Sequence, residues 1–421
     1  MTKTIITTFV ALTAFCAFAN TADIVTKNTS NSKLYAEDAK SWLINGIKFS
    51  KSRSIDASKH GLLPKSDKDQ SKVLKEIFKK AASNPDIDTV YVPTGTYYIA
   101  DQIQPYPGTN LIGDGPGKTV FDRKDKSNYL LLTGKKDYKG IVIARVTLKN
   151  TERIAMMKSS QNIRFFNNEL YGGIMRLEKC SYIDFEHNVF NDNIGKSGYA
   201  SSSCDHIRIV RNRFNGIEKG SINLSGHTNS YAAYNYITAK KLLTSGYAGI
   251  RLPNGAKNNL VEFNYIENHG RGLFVLSSSE NNTLRNNVVN RAKHQGALIQ
   301  SPTTVLENNI FVDAGENAVI LNNQDAGKKY LKAEKCRIVN NIIYDTSKLN
   351  GVLGLDIRSQ NNIIEGNKVL TSFGRKVKEI ASNNKDINNT QITEAPKMRS
   401  VLEVEAPPVV QSKIPKNIGK E

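Results

Sequence analysis

Cysteine is scarce in this chain. Four in 421 residues are too few for a disulfide framework, and none stands at a Cys/His spacing that would hold a metal. Tryptophan occurs once, at Trp42. Acidic side chains are outnumbered, 39 against 58 Lys and Arg, for a net charge of +19. Beyond the first residues no apolar run approaches the roughly 20 that a spanning helix takes, so no membrane anchor is expected. A metal cofactor, a cofactor of any other kind and a disulfide-stapled miniature fold are therefore not expected.

The apolar run that does exist opens the chain. Lys3 supplies a charge, Ile5 to Phe18 an apolar core and Ala17-Phe18-Ala19 an A-x-A cleavage site, with cleavage after Ala22 as the alternative. Residues 1–22 are read as a secretory leader, and the mature protein as periplasmic or secreted. Cys16 falls inside the leader, leaving Cys180, Cys204 and Cys336. Cys180 and Cys204 precede equivalent strands of neighbouring repeats, about 4.8 Å apart by strand spacing. Both a disulfide and a pair of stacked thiols stay open there.

An asparagine recurs through the middle of the chain, at 150, 168, 188, 212, 235, 264, 287, 309, 341 and 367. The intervals are those of stacked structural repeats. Three residues before stand Phe165, Phe185, Ile209, Ala232, Val261, Leu284, Leu306, Ile338 and Ile364; two after stand Leu170, Phe190, Phe214, Ile237, Ile266, Val289, Phe311, Ile343 and Val369. Apolar positions of period two at every repeat describe parallel strands around one interior. The amide is suited to the corner, where it bonds to copies above and below and tolerates a left-handed backbone. The expected fold is an all-β, right-handed parallel β-helix with an N-terminal capping helix. Its asparagines are scaffold.

Four segments follow. The leader covers 1–22; residues 23–87 include an amphipathic helix over Ser71–Ala82 that would close the open end of the solenoid. The β-helix runs over 88–371, and an irregular tail with Pro396, Pro407, Pro408 and Pro415 takes up 372–421. The β-helix opens with Thr89-Val90-Tyr91-Val92-Pro93-Thr94-Gly95-Thr96-Tyr97-Tyr98-Ile99, then Asn110-Leu111-Ile112-Gly113-Asp114-Gly115. These stretches resemble the "VPxGTY" and "LIGxG" strands of the pectate-lyase-like β-helix superfamily. The resemblance spans about residues 70–370 and implies the fold; the superfamily holds lyases, hydrolases, epimerases and phage tailspikes.

Chemistry is sought on the strand after each asparagine corner. Seven residues on come Lys219, Arg271 and His294; allowing for an insertion, Ala239 to Ser245, Tyr247 joins them. Eleven on come Tyr199, Asn223 and Arg251. Residues two or four apart share a strand face, which predicts an outer ladder of Tyr199, Lys219 with Asn223, Tyr247 with Arg251, then Arg271. His227, His269 and His294 stand near its ends, and Arg176, Lys196, Lys240 and Lys241 extend the basic edge. By contrast Glu262, Arg285 and Glu307 are read as structural cross-strand pairing.

The basic ladder suits an acidic polysaccharide, whose capture the positive field would accelerate. No nucleic-acid motif accompanies the charge. β-Elimination of a uronate needs a cation against the carboxylate, a base at C5 and an acid at O4. Arg251 or Arg271 supplies the cation. A lysine among cations can serve as base, and Lys219 is the candidate; Tyr247 or Tyr199 is the acid, with His227 a rival for either task. Asn223, Arg271, His227, His269 and His294 are the expected binding residues. Solvated charge, packing tyrosines and plain surface histidines are the alternative readings of the same residues. The chain is most similar to alginate lyases of polysaccharide lyase family thirty-one, a resemblance that implies a Lys/Tyr acid–base pair, carried here by Lys219 and either Tyr247 or Tyr199. The acidic calcium cluster of pectate lyases and the DPH-type motif of mannuronan epimerases are not evident. A C5-epimerase and a non-catalytic polysaccharide binder remain the other two classes, and the protein is expected to act as a monomer.

Overall fold

The computed structural model describes residues 51–394, apart from 133–136, 192–196, 325–328, 347–348 and 350. The leader, Trp42, Lys196 and the proline-bearing end of the tail lie outside the described residues. The chain winds as a parallel β-solenoid. Its first face is a ladder of fourteen strands from Ser54–Asp56 to Lys385–Ile387, each parallel to the strand one turn away. The second face carries the short strands after each corner, such as Val189–Asn191, Arg213–Asn215, Tyr236–Thr238 and Tyr265–Glu267. The third carries Met175–Glu178, Tyr199–Ser202, Ile222–Ser225, Ala248–Leu252, Arg271–Val275 and Ala297–Ile299. Parallel pairing continues through Thr390–Ile392, so the repeat runs one turn past the boundary expected at residue 371. Among the described residues no helix is long and apolar enough to cross a membrane.

The corner asparagines form the predicted column. From Asn168 to Asn367, each side-chain Nδ2 donates to the Oδ1 of the next, as in Asn212 to Asn235 at 3.1 Å and Asn235 to Asn264 at 2.8 Å. Each Oδ1 also accepts the backbone N–H of the asparagine before it, as Asn235 does from Asn212 at 3.0 Å. Three details differ from expectation. The Val146 amide donates to the Asn168 Oδ1, which puts Val146 in the place before Asn168 where Asn150 was expected. Asn389 adds a turn at the far end. The left-handed backbone belongs to the residue before the asparagine, at His187, Arg211, Tyr234 and Phe263 among others, and not to the asparagine itself. Bulky residues hold that conformation because the ladder fixes the corner around them.

Both apolar columns point inward and are at most 1% exposed, and Phe165 stacks on Phe185 at 4.9 Å and Phe190 on Phe214 at 4.5 Å. At the corner before the first face a second polar column runs: Asn259 Nδ2 donates to Asn282 Oδ1 at 2.9 Å, and Ser279 donates its amide to Ser301. Cys180 and Cys204 stand in similar positions as free, buried thiols, with the Cys180 amide 3.4 Å from the Cys204 sulfur. The stacked-thiol reading therefore describes them, not the disulfide. Helix α1 (Ser71–Ala82) lays Leu74, Ile77, Phe78 and Ala81 into the core beside strands Ser54–Asp56 and Thr89–Val92.

Candidate active site

Register decides which side chains meet on the third face. Ala200, Asn223, Arg251 and Phe274 are consecutive partners across four strands. Ile222, Ile250 and Leu273 sit one residue earlier and point into the core. Tyr199 pairs with Ile222, not Asn223, so the eleven-residue count slips by one at this turn. Because strand side chains alternate, a slip of one residue reverses the face. Tyr199 accordingly lies inside, 1% exposed, edge-on to Phe185 at 5.4 Å. Burial pushes its pKa well above the usual phenol value. It is withdrawn from the candidate acid–base groups.

Two histidines are withdrawn for the same reason. The His227 ring is fully buried between the hydroxyls of Ser201 and Ser230, and burial pushes its pKa down to about 3. His269, 1% exposed, meets the Ser221 hydroxyl at 3.1 Å and the Glu267 carbonyl at 2.9 Å, and burial pushes its pKa down to about 4. Neither ring can touch a polymer on the surface. His294 is partly exposed, its Nδ1 2.7 Å from a Glu316 carboxylate oxygen.

The other candidates converge. Lys219 and Tyr247 are exposed in the turns just before strands Ile222–Ser225 and Ala248–Leu252, with the Lys219 Nζ 6.0 Å from the centre of the Tyr247 ring. The guanidinium of Arg251 lies 5.5 Å, and that of Arg271 5.1 Å, from the centre of the Phe274 ring. Burial lowers the pKa of Arg251, opposed by the nearby Tyr247. Burial lowers that of Arg271 as well, with Glu316 opposing and Arg251 adding to the fall. Two buried polar atoms on half-buried side chains at this spot have no hydrogen-bond partner, Asn223 Oδ1 and Arg251 Nε. Among the described residues no carboxylate lies within ion-pair distance of Lys219, Arg251 or Arg271, and no group of His, Cys, Asp and Glu is arranged to hold a metal. The result is a cationic cluster with one donor and one acceptor unspent.

The counting of repeats missed three members. Phe274 stands ten residues after Asn264, where eleven was the count used. Gln295 accepts from Arg271 Nε at 2.6 Å and in turn donates to Glu316. Gln295 and Glu316 come from later turns, and nothing local in the sequence links them to Arg271.

The stacked parallel strands and the cluster on one outer face place the chain in the pectate-lyase-like class of β-helix proteins. Residues 54–297, more than half of the chain, match the family described as rhamnogalacturonase A/epimerase, pectate lyase-like, and the chain belongs to it. No curated protein matches over the sequence. Among solved structures, the chain is similar to the A-module of the Azotobacter vinelandii mannuronan C-5 epimerase AlgE6, at TM-score 0.56 and 12% identity over 81% of this chain and 100% of that one. It is similar to the catalytic domain of a GH87 α-1,3-glucanase in complex with tetrasaccharides, at TM-score 0.58 and 13% identity over 83% and 70%. It is also similar to the Streptococcus pneumoniae surface protein and adhesin PfbA, at 0.52 and 14% over 80% and 98%. At these identities the likeness establishes the fold alone.

Proposed function

We propose that the protein is an exported lyase that cleaves a uronate-containing, alginate-like polysaccharide by β-elimination. The observation that carries this reading is the pair Asn223 and Arg251. They are register partners on neighbouring strands, and each holds a polar atom that is buried without a partner. Such atoms are costly unless a ligand completes them. A uronate unit does so: Arg251 Nε donates to its carboxylate, and Asn223 Oδ1 accepts from a sugar hydroxyl. Neutralising that carboxylate acidifies the C5 proton and holds the charge that develops as the proton leaves.

Lys219 and Tyr247 stand side by side next to this clamp and supply the proton transfers. The amine of Lys219 takes the C5 proton. The C–H electron pair becomes the C4–C5 double bond, the C4–O4 bond breaks, and Tyr247 gives a proton to the departing oxygen. Arg271 and Phe274 extend the cluster along the solenoid, where a polymer crossing the strands passes successive turns about 4.8 Å apart. Incubation with alginate tests the reading through ultraviolet absorbance of the unsaturated product. Inverted uronate stereochemistry without that absorbance would assign an epimerase instead. Binding without either change would leave a polysaccharide-binding protein.

A further inference from the structure

The insertion Ala239–Ser245 interrupts the repeat immediately before Tyr247, and the later turns hold it at both ends. At its start the Ala239 amide donates to the Glu267 carbonyl at 3.2 Å, and the Leu243 amide donates to the Asn268 carbonyl at 2.9 Å. At its end Arg271 donates to the Gly246 carbonyl at 2.5 Å. Gly270 lies against it so closely that an added Cβ would stand 1.6 Å from the Ser245 carbonyl oxygen. The last tie comes from further along the solenoid: His294 Nε2 meets the Thr244 carbonyl at 3.1 Å, while its Nδ1 meets Glu316 at 2.7 Å. Both partners of that ring are acceptors.

Resting on the lyase reading, we infer that the insertion is a strap that sets the Tyr247 hydroxyl against the reacting sugar, and that Glu316 is a positioning residue at its far end. Glu316 acts along two routes. Through His294 it holds the strap at Thr244. Through Gln295, which donates to its other oxygen and accepts from Arg271 Nε, it aims the guanidinium that grips Gly246. It touches neither Lys219 nor Arg251. A half-exposed contact of this sort is weak, so the expected effect is a tuning of geometry and not a loss of the fold.

The test uses the purified full chain and two readouts. Lys240 and Lys241 are exposed on the strap, so trypsin reports its release directly, without reference to any activity. Glu316→Ala is expected to speed nicking at these lysines and to lower kcat on alginate about fivefold at nearly unchanged KM. Glu316→Gln keeps an amide oxygen for His294 but sets a donor NH2 against Gln295, so it restores the slow nicking and only part of kcat; His294→Ala reproduces the nicking. Thermal unfolding of all three stays close to that of the parent. Unchanged nicking in Glu316→Ala and His294→Ala overturns the strap. A fall in KM-dependent binding with kcat intact overturns the role of Glu316 in aiming Tyr247. Faster nicking in a protein whose parent never forms unsaturated product supports the strap and overturns the lyase reading instead.

Discussion

Two arginine ladders face outward on this solenoid, and they have opposite designs. On the first face Arg285 lies between Glu262 and Glu307, its register partners on either side, at 2.7 Å and 3.8 Å. Arg208 is likewise held by Asp184 at 2.7 Å and Glu186 at 3.0 Å. On the third face Arg251 follows Asn223 and precedes Phe274, with its Nε unpartnered. The first arrangement completes itself. The second is completed only by something from outside. Charge alone therefore does not mark a site on a solenoid; a buried charged group left without its counterpart does.

The largest effect expected from this contrast is catalytic. Lys219→Ala lowers formation of unsaturated product by about 10²- to 10⁴-fold, the usual worth of a positioned proton-transfer group. Polymer binding, followed separately by titration, changes little, because Arg251 and Arg271 remain. Near-normal product from this variant would falsify the assignment of the base and move it to Tyr247.

Next comes the direct comparison of the two ladders. Arg251→Ala weakens alginate binding and turnover, each by about 10- to 100-fold, the worth of a charge-assisted hydrogen bond. It leaves the melting temperature unchanged or raises it, since a desolvated and unpaired cation is removed. Arg285→Ala does the reverse. It strands two buried carboxylates at a cost on the order of 3 kcal/mol and spares activity measured below the melting temperature. Equal stability losses in the two variants would erase the distinction.

A third experiment concerns the interior. Asn235→Leu and Asn259→Leu each remove a link from a buried amide ladder and are expected to cost about 1–3 kcal/mol apiece. Denaturant titration measures both, and a silent Asn259→Leu would remove the second column from the account of stability.

The most gradual effect is on pH. His227 and His269 are held neutral by burial, with pKa values of about 3 and about 4, against about 6.5 in the unfolded chain. In that window the unfolded state binds more protons. Their contribution to stability is full above about pH 6.5 and falls as the pH drops toward 4, by at most about 1.4 kcal/mol per pH unit for each ring. The slope of unfolding free energy against pH should be shallower in His227→Gln than in the parent. Identical slopes would mean that the ring is not held neutral.

What the sequence alone determined is the stack. The asparagine period and the inward apolar columns repeat from turn to turn, so each copy corroborates the next, and the same register sets Glu262, Arg285 and Glu307 side by side on three successive strands. The cluster of Lys219, Asn223, Tyr247, Arg251 and Arg271 was legible for the same reason. Tertiary structure decided everything that depends on parity or on distant turns. A one-residue difference in turn length carried Tyr199 from the surface into the core, and no local composition announces such a change. His227 and His269 follow polar corners and look like surface residues until the coil closes over them. Gln295 and Glu316 reach Arg271 only because the solenoid brings residues 24 positions apart, or two turns away, onto one edge. Strand pairing sets the spacing of the turns, but the lengths of the connections set which side chains arrive at the same point. That second quantity belongs to the whole fold.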